Sequence, residues 1–217
     1  MPPRKFESRW PPALALLASV IAIALLPMRL ALVPEWARFV LAAVALFPII
    51  AVVLTRGSER SLLIERSAHF AFCALLAALT FLGLAQLIHV MISRSSSLSG
   101  ITLLSSSIAV WLINVVNHSI LYWQLDRGGP EARLRGRAAR PDWLFPQDDA
   151  STALVGPGWR PAFVDYLYLA FSTATAFSTT EVAPLTSRAK LLMMLESSIA
   201  LMVIVLVGAR AINILGG

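Results

Sequence analysis

Long runs of apolar residues, separated by short clusters of charge, set the pattern of this chain. Five runs have the length and hydropathy of helices that cross a bilayer, which takes about 20 predominantly apolar residues. They cover 12–32, 36–54, 67–92, 101–124 and 191–215. Pro27 predicts a kink near the end of the first, Trp36 opens the second, and Tyr122 and Trp123 close the fourth as interfacial anchors. The first run outlasts the short apolar core of a cleaved signal peptide, so it is expected to be retained as a span. No stretch alternates apolar and polar residues over about ten positions, as barrel strands do. The expected fold class is an all-α integral membrane protein, a bundle of five or six transmembrane helices.

Two pieces break the pattern. Residues 125–161 collect Gly128, Gly129, Pro130, Arg133, Arg135, Arg137, Arg140, Asp148, Asp149 and Gly156-Pro157-Gly158, the composition of a loop with no core of its own. Its length lets it fold over the membrane face. Residues 162–181 begin as an aromatic apolar helix and turn into a run of Ser and Thr. Lipid does not tolerate that second half as an exposed span. The segment is either a crossing helix buried in the bundle or a re-entrant one that dips in and returns. Three regions follow: 1–124 with four transmembrane helices, 125–161 as a basic cytoplasmic loop, and 162–217 with the re-entrant or spanning segment and the last helix.

Composition agrees with this picture. Of 217 residues, 58% are hydrophobic and 14% charged, whereas soluble domains carry roughly a quarter charged residues. The net charge of +6 comes from basic residues that flank apolar runs, not from a basic folded surface, so no nucleic-acid partner is expected. Cys73 is the single cysteine and can form neither an intrachain disulfide nor a Cys-based zinc site. If four spans precede the long loop, Arg4, Lys5, Arg9, Arg56, Arg60, Arg66, Arg127, Arg133, Arg135, Arg137, Arg140 and Arg160 share one side. Arg29, Arg38 and Arg94 lie on the other. The positive-inside rule then puts the N-terminus and the loop in the cytoplasm. A re-entrant 162–181 keeps Arg188 and Lys190 cytoplasmic; a crossing one is favoured by the near-terminal Arg210.

The run Asp165-Tyr166-Leu167-Tyr168-Leu169-Ala170-Phe171-Ser172-Thr173-Ala174-Thr175, then Ala176-Phe177-Ser178-Thr179-Thr180-Glu181-Val182-Ala183-Pro184, resembles the pore helix and filter of two-transmembrane potassium channels. Arg188 to Glu196 resembles the start of their inner helix. The last quarter of the chain is equally similar to small bacterial inner-membrane proteins of unknown function that end in an aromatic-then-threonine segment and one span. This resemblance implies a multi-pass protein of the bacterial inner membrane. The channel filter reads Thr-Val-Gly-Tyr-Gly-Asp; here Ser178 and Thr180 replace its glycines. A β-branched Thr resists the positive φ that turns filter carbonyls toward an ion, so a carbonyl-lined potassium filter is not expected. The Arg count also presents this segment from the cytoplasmic side, as in ionotropic glutamate receptors.

Hydroxyls of Thr173, Thr175, Ser178, Thr179 and Thr180 with the Glu181 carboxylate are the candidate pore lining. Rings of such groups around an oligomer axis attract cations with modest selectivity. The competing reading makes the same hydroxyls helix-packing glue. Asn114, Asn117 and His118 recur at helical spacing on the fourth span, and Glu196 sits early in the last one. Together these form a candidate intramembrane polar or proton site. For Glu196 the alternative is an interfacial ion pair with Lys190 or Arg188. Gln86 and His89 form a smaller polar pair. No catalytic motif is present, so no enzyme activity, cofactor or metal is expected. The expected partners are the lipid bilayer, monovalent cations and, for a channel, further copies of the chain. The leading functional expectation is an oligomeric, weakly selective cation pore; the alternatives are a small proton-coupled transporter and a non-conducting scaffold or accessory subunit.

Overall fold

The computed structural model of the chain describes residues 7–25, 50, 59–93, 100–134, 139–176 and 181–215. Those residues are mainly helical. The principal helices are α1 (Trp10–Leu25), α2 (Glu59–Ser93), α3 (Gly100–Leu125), α4 (Phe163–Ala176) and α5 (Ser187–Leu215). Three carry segments long and apolar enough to cross a membrane: Leu63–Gln86, Leu104–Gly128 and Ser187–Ala209. The predicted spans 101–124 and 191–215 match α3 and α5 closely. α2 begins earlier than the predicted 67–92, because its charged first turns are helical as well. The predicted span 36–54 lies outside the described residues except for Ile50, and so does Pro27.

α3 is the central element, and α1, α2, α4 and α5 all pack on it. Every residue from Ile113 to Ile120 is buried, which explains why this helix carries small and polar residues on several faces. All four neighbours run antiparallel to it. Arg9, just before α1, stacks on Trp123 near the end of α3 at 5.0 Å, and α1 packs back along the helix. On α2, His69 meets Gln124 (2.7 Å), Cys73 meets the Asn117 carbonyl, and Leu84 meets Val110. On α4, Phe163 meets Trp123 and Phe171 meets Trp111. On α5, Glu196 meets Tyr122 and Val203 meets Val110. α4 and α5 therefore point the same way, and both start at the end where α3 stops.

That end is closed by a cap of paired charges. Arg9 forms ion pairs with Glu65 at the start of α2 and with Glu131 after α3. Arg133 pairs with Glu7 and donates to the carbonyls of Trp123 and Asp126. Arg66 donates to the Gly128 carbonyl, and Arg160 to that of Arg133. Among the described residues, Arg9, Arg66, Arg127, Arg133 and Arg160, which the sequence assigns to a common side, thus meet at one end.

α3 is terminated by three successive positive-φ residues, Arg127 (54°), Gly128 (82°) and Gly129 (97°). Arg127 is the non-glycine residue in that conformation, which costs about 1–2 kcal/mol. Asp126 and Asp148 hold its guanidinium in place. The loop that follows does contribute to the core. Trp143 and Phe145 are buried, and Trp143 lies 4.6 Å from Tyr122 between ring centroids. Trp143–Leu144 pairs antiparallel with Ala183–Pro184, a two-strand clasp that joins the loop after α3 to the entry of α5.

Candidate functional site

α4 starts where Asp165, in its first turn, accepts a hydrogen bond from the Ala162 amide at 2.7 Å, satisfying a donor that the helix leaves free. Fourteen residues long, it spans about 21 Å at 1.5 Å per residue, short of the roughly 30 Å hydrocarbon core. Its far end lies beside Trp111, whose indole donates to the Ala174 carbonyl. By Ala183 the chain is again at the cap, paired with Leu144, and Leu185 donates to the Asp142 carbonyl at 2.8 Å. At about 3.3 Å per residue the chain after Ala176 is long enough for that climb. α5 then begins at the cap, with the Thr186 hydroxyl accepting from the Ala189 amide and donating to Asp142.

The candidate pore-lining residues divide along this path. Thr173 is buried against α5, and Ser197 donates to its carbonyl at 3.3 Å. Thr175 is exposed, but its hydroxyl is turned back to the Phe171 carbonyl at 2.7 Å, the packing role of a threonine in a membrane helix. Glu181 is exposed. Ser178, Thr179 and Thr180 lie outside the described residues.

Of the second group, Asn114, His118 and Glu196 come together, and Asn117 does not join them. Tyr122, His118 and Asn114 stand one helical repeat apart on α3, facing α5. Tyr122 donates to Glu196 Oε2 at 2.5 Å, and Asn114 Nδ2 donates to the Glu196 carbonyl at 3.0 Å. His118 Nδ1 lies 2.9 Å from the Asn114 carbonyl. Asn117 is buried, with its carbonyl turned to Cys73 of α2. The ion pair of Glu196 with Lys190 or Arg188 is not formed. α5 begins at Ser187, so Glu196 lies well inside it, fully buried, and Arg188 pairs instead with Asp142.

Sequence reasoning missed Tyr122, taken only as an interfacial anchor, and the acidic residues of the cap. Asp126 is the hub of that cap. Its Oδ1 accepts from the Asp142 amide at 2.7 Å, and its Oδ2 accepts from the Tyr166 hydroxyl at 2.6 Å. An acidic residue directly after a span, on the arginine-rich side, was the available signal.

Farther from the cap, an apolar groove of about 450 Å³ opens between α3, the end of α4 and α5. Leu104, Ile108, Trp111, Thr175, Val203 and Gly208 line it. Among the described residues, no group of three His, Cys, Asp or Glu side chains converges to hold a metal ion. Compared with protein families, curated proteins and solved structures, the chain matches none.

Proposed function

We propose that the chain is a subunit of an oligomeric, weakly selective cation pore, with five crossings and 162–181 as its re-entrant segment. One observation carries this reading: α4 and α5 enter from the same end, both antiparallel to α3, and α4 is too short to cross. A helix, a half-depth dip and a second helix is the order of parts that lets a loop line a pore between subunits. In this reading α3 is the outer helix, α5 the inner one and α4 the pore helix. The outward face of α5 supports assembly within lipid, since Leu191, Met194, Leu201 and Val205 are all exposed and apolar. Conduction past Ser178, Thr179, Thr180 and Glu181 would use hydroxyls and a carboxylate, which attract cations without a carbonyl filter's discrimination.

The N-terminus and the arginine-rich cap lie in the cytoplasm in this proposal, by the positive-inside rule. Five crossings put the C-terminus on the opposite side. The membrane is a bacterial inner membrane in this reading, on the resemblance alone.

The test is flux through purified protein in liposomes. Monovalent-cation flux is expected, and Glu181→Gln is expected to reduce the preference for cations over anions severalfold. Flux and selectivity that survive Glu181→Gln and Thr175→Ala unchanged would sink the pore lining proposed here.

A second reading, a proton-coupled carrier, is favoured by one observation, the convergence of Asn114, His118 and Glu196 inside the bundle. Flux driven by a pH gradient and abolished by His118→Ala would replace the pore with it.

A further inference from the structure

The seam between α3, α4 and α5 contains more buried lone pairs than protons to satisfy them. Glu196 Oε2 accepts the Tyr122 hydroxyl proton, while Oε1 is buried with no partner. Asn114 gives its Nδ2 hydrogen to the Glu196 carbonyl, which fixes the amide orientation and leaves Oδ1 buried without a donor. His118 Nδ1 faces the Asn114 carbonyl, which has no hydrogen to offer, so Nδ1 carries the hydrogen and, in the neutral ring, Nε2 is a bare acceptor. That nitrogen too is buried without a partner. From α4, the Thr173 hydroxyl is buried and unpartnered and can supply at most one hydrogen.

The charges around this seam do not compensate. Tyr122 and His118 are the titratable groups that α3 turns toward it, and Thr173 and Ser197 contribute only hydroxyls. From the loop, Trp143 covers Tyr122 without charge. Ionised groups at the cap are committed there, Arg188 to Asp142, and Arg127 to Asp126 and Asp148, and Lys190 is exposed in the first turn of α5. Among the described residues no Lys or Arg forms an ion pair with Glu196. A carboxylate without a cationic partner in a bilayer interior is strongly disfavoured.

We propose that this seam is a proton-binding site in which Glu196 takes up one proton on Oε1. The proton comes from hydronium in the aqueous phase: its O–H bond breaks as the Glu196 Oε1–H bond forms, water is left behind, and the carboxylate charge is cancelled. The new hydroxyl is the donor that the surrounding acceptors lack. Tyr122, Asn114 and His118 position the acid and are not themselves the carriers. The site goes beyond the pore reading and does not depend on conduction.

The test is infrared spectroscopy of the full chain in phosphatidylcholine–phosphatidylglycerol nanodiscs across a pH series. The native-minus-Glu196→Gln difference is expected to contain the C=O stretch of a protonated carboxylic acid at neutral pH. That band is expected to disappear as pH is raised and to be unmoved by exchange of Na⁺ for choline. A difference showing only ionised carboxylate at neutral pH overturns the proposal. Conversion of the acid band by added Na⁺ also overturns it, because the site is then a sodium site. If Glu196→Gln does not fold, Tyr122→Phe and His118→Gln serve instead. Each should shift the acid band of the otherwise native protein, and a band that neither variant moves belongs to another carboxyl and overturns the assignment.

Discussion

Tyr122 on α3 and Glu196 on α5 are joined by a buried hydrogen bond of 2.5 Å, which together with the Asn114 bond to the Glu196 carbonyl ties the central helix to the last helix. Tyr122→Phe deletes the donor, keeps the ring against Trp143, and leaves both carboxyl oxygens without a protein partner. A loss of about 1–3 kcal/mol is expected, read from guanidinium unfolding in detergent. No change in midpoint would show that this bond holds nothing.

Asp126 concentrates the cap, since two segments of the loop and α4 all bond to it. Asp126→Asn removes the charge that faces Arg127 and puts an amide where the Tyr166 hydroxyl now donates. Charge-assisted bonds are worth about 1.5–3 kcal/mol each, so a loss of at least about 2 kcal/mol is expected in the same assay. Tyr166→Phe should lose less, because the Asp126 charge and its other bonds remain.

Arg9 and Glu65 are a buried pair, about 2% and 1% exposed. Removing one partner of such a pair costs about 3–5 kcal/mol because the other charge stays buried. Arg9→Met is expected to fall in that range. Arg9→Met combined with Glu65→Met should recover more than half of the loss. A double variant no more stable than the single one would show that Glu131 or Trp123 is the more important partner of Arg9.

Two glycines should respond differently to alanine. At Gly129 (φ +97°) a Cβ would come within 3.1 Å of the Gln124 carbonyl oxygen, whereas at Gly158 (φ +70°) nothing lies within 4 Å. Gly158→Ala should cost only the conformational penalty, about 1–2 kcal/mol. Gly129→Ala should cost more than that and lower the yield of monodisperse protein. Equal effects would indicate that the α3 terminus relaxes.

The same-end entry of α4 and α5 predicts a labelling pattern. In a Cys73→Ala background, Ser187→Cys and Ser151→Cys should react with an impermeant maleimide from the same face of inside-out vesicles. Opposite faces would mean that 162–181 crosses.

Much of this arrangement was legible in the chain, and the rest was hidden for physical reasons. α3 and α5 were visible because lipid demands length and apolarity, signals that survive without any tertiary information. The first turns of α2 were not, because Glu65 and Arg66 look like a loop until Arg9 and Gly128 are seen to pair with them from distant parts of the sequence. Spacing on α3 identified Asn114 and His118, but nothing local assigned Glu196 to Tyr122 rather than to Arg188. That choice depended on where α5 begins, and Thr186 with Asp142 sets that start. The burial of Trp143 was likewise invisible in a stretch whose glycines, prolines and charges read as solvent-facing.

Because α3 is the shared neighbour of every other principal helix, the order of synthesis matters. When α1 and α2 leave the ribosome, the surface they are shaped to cover has not yet been made. A nascent chain arrested before residue 100 would display the buried faces of both helices to lipid or to the insertion machinery. Quality-control proteases in the membrane should therefore clear such fragments quickly, and completion of α3 would be the moment at which the polypeptide escapes them.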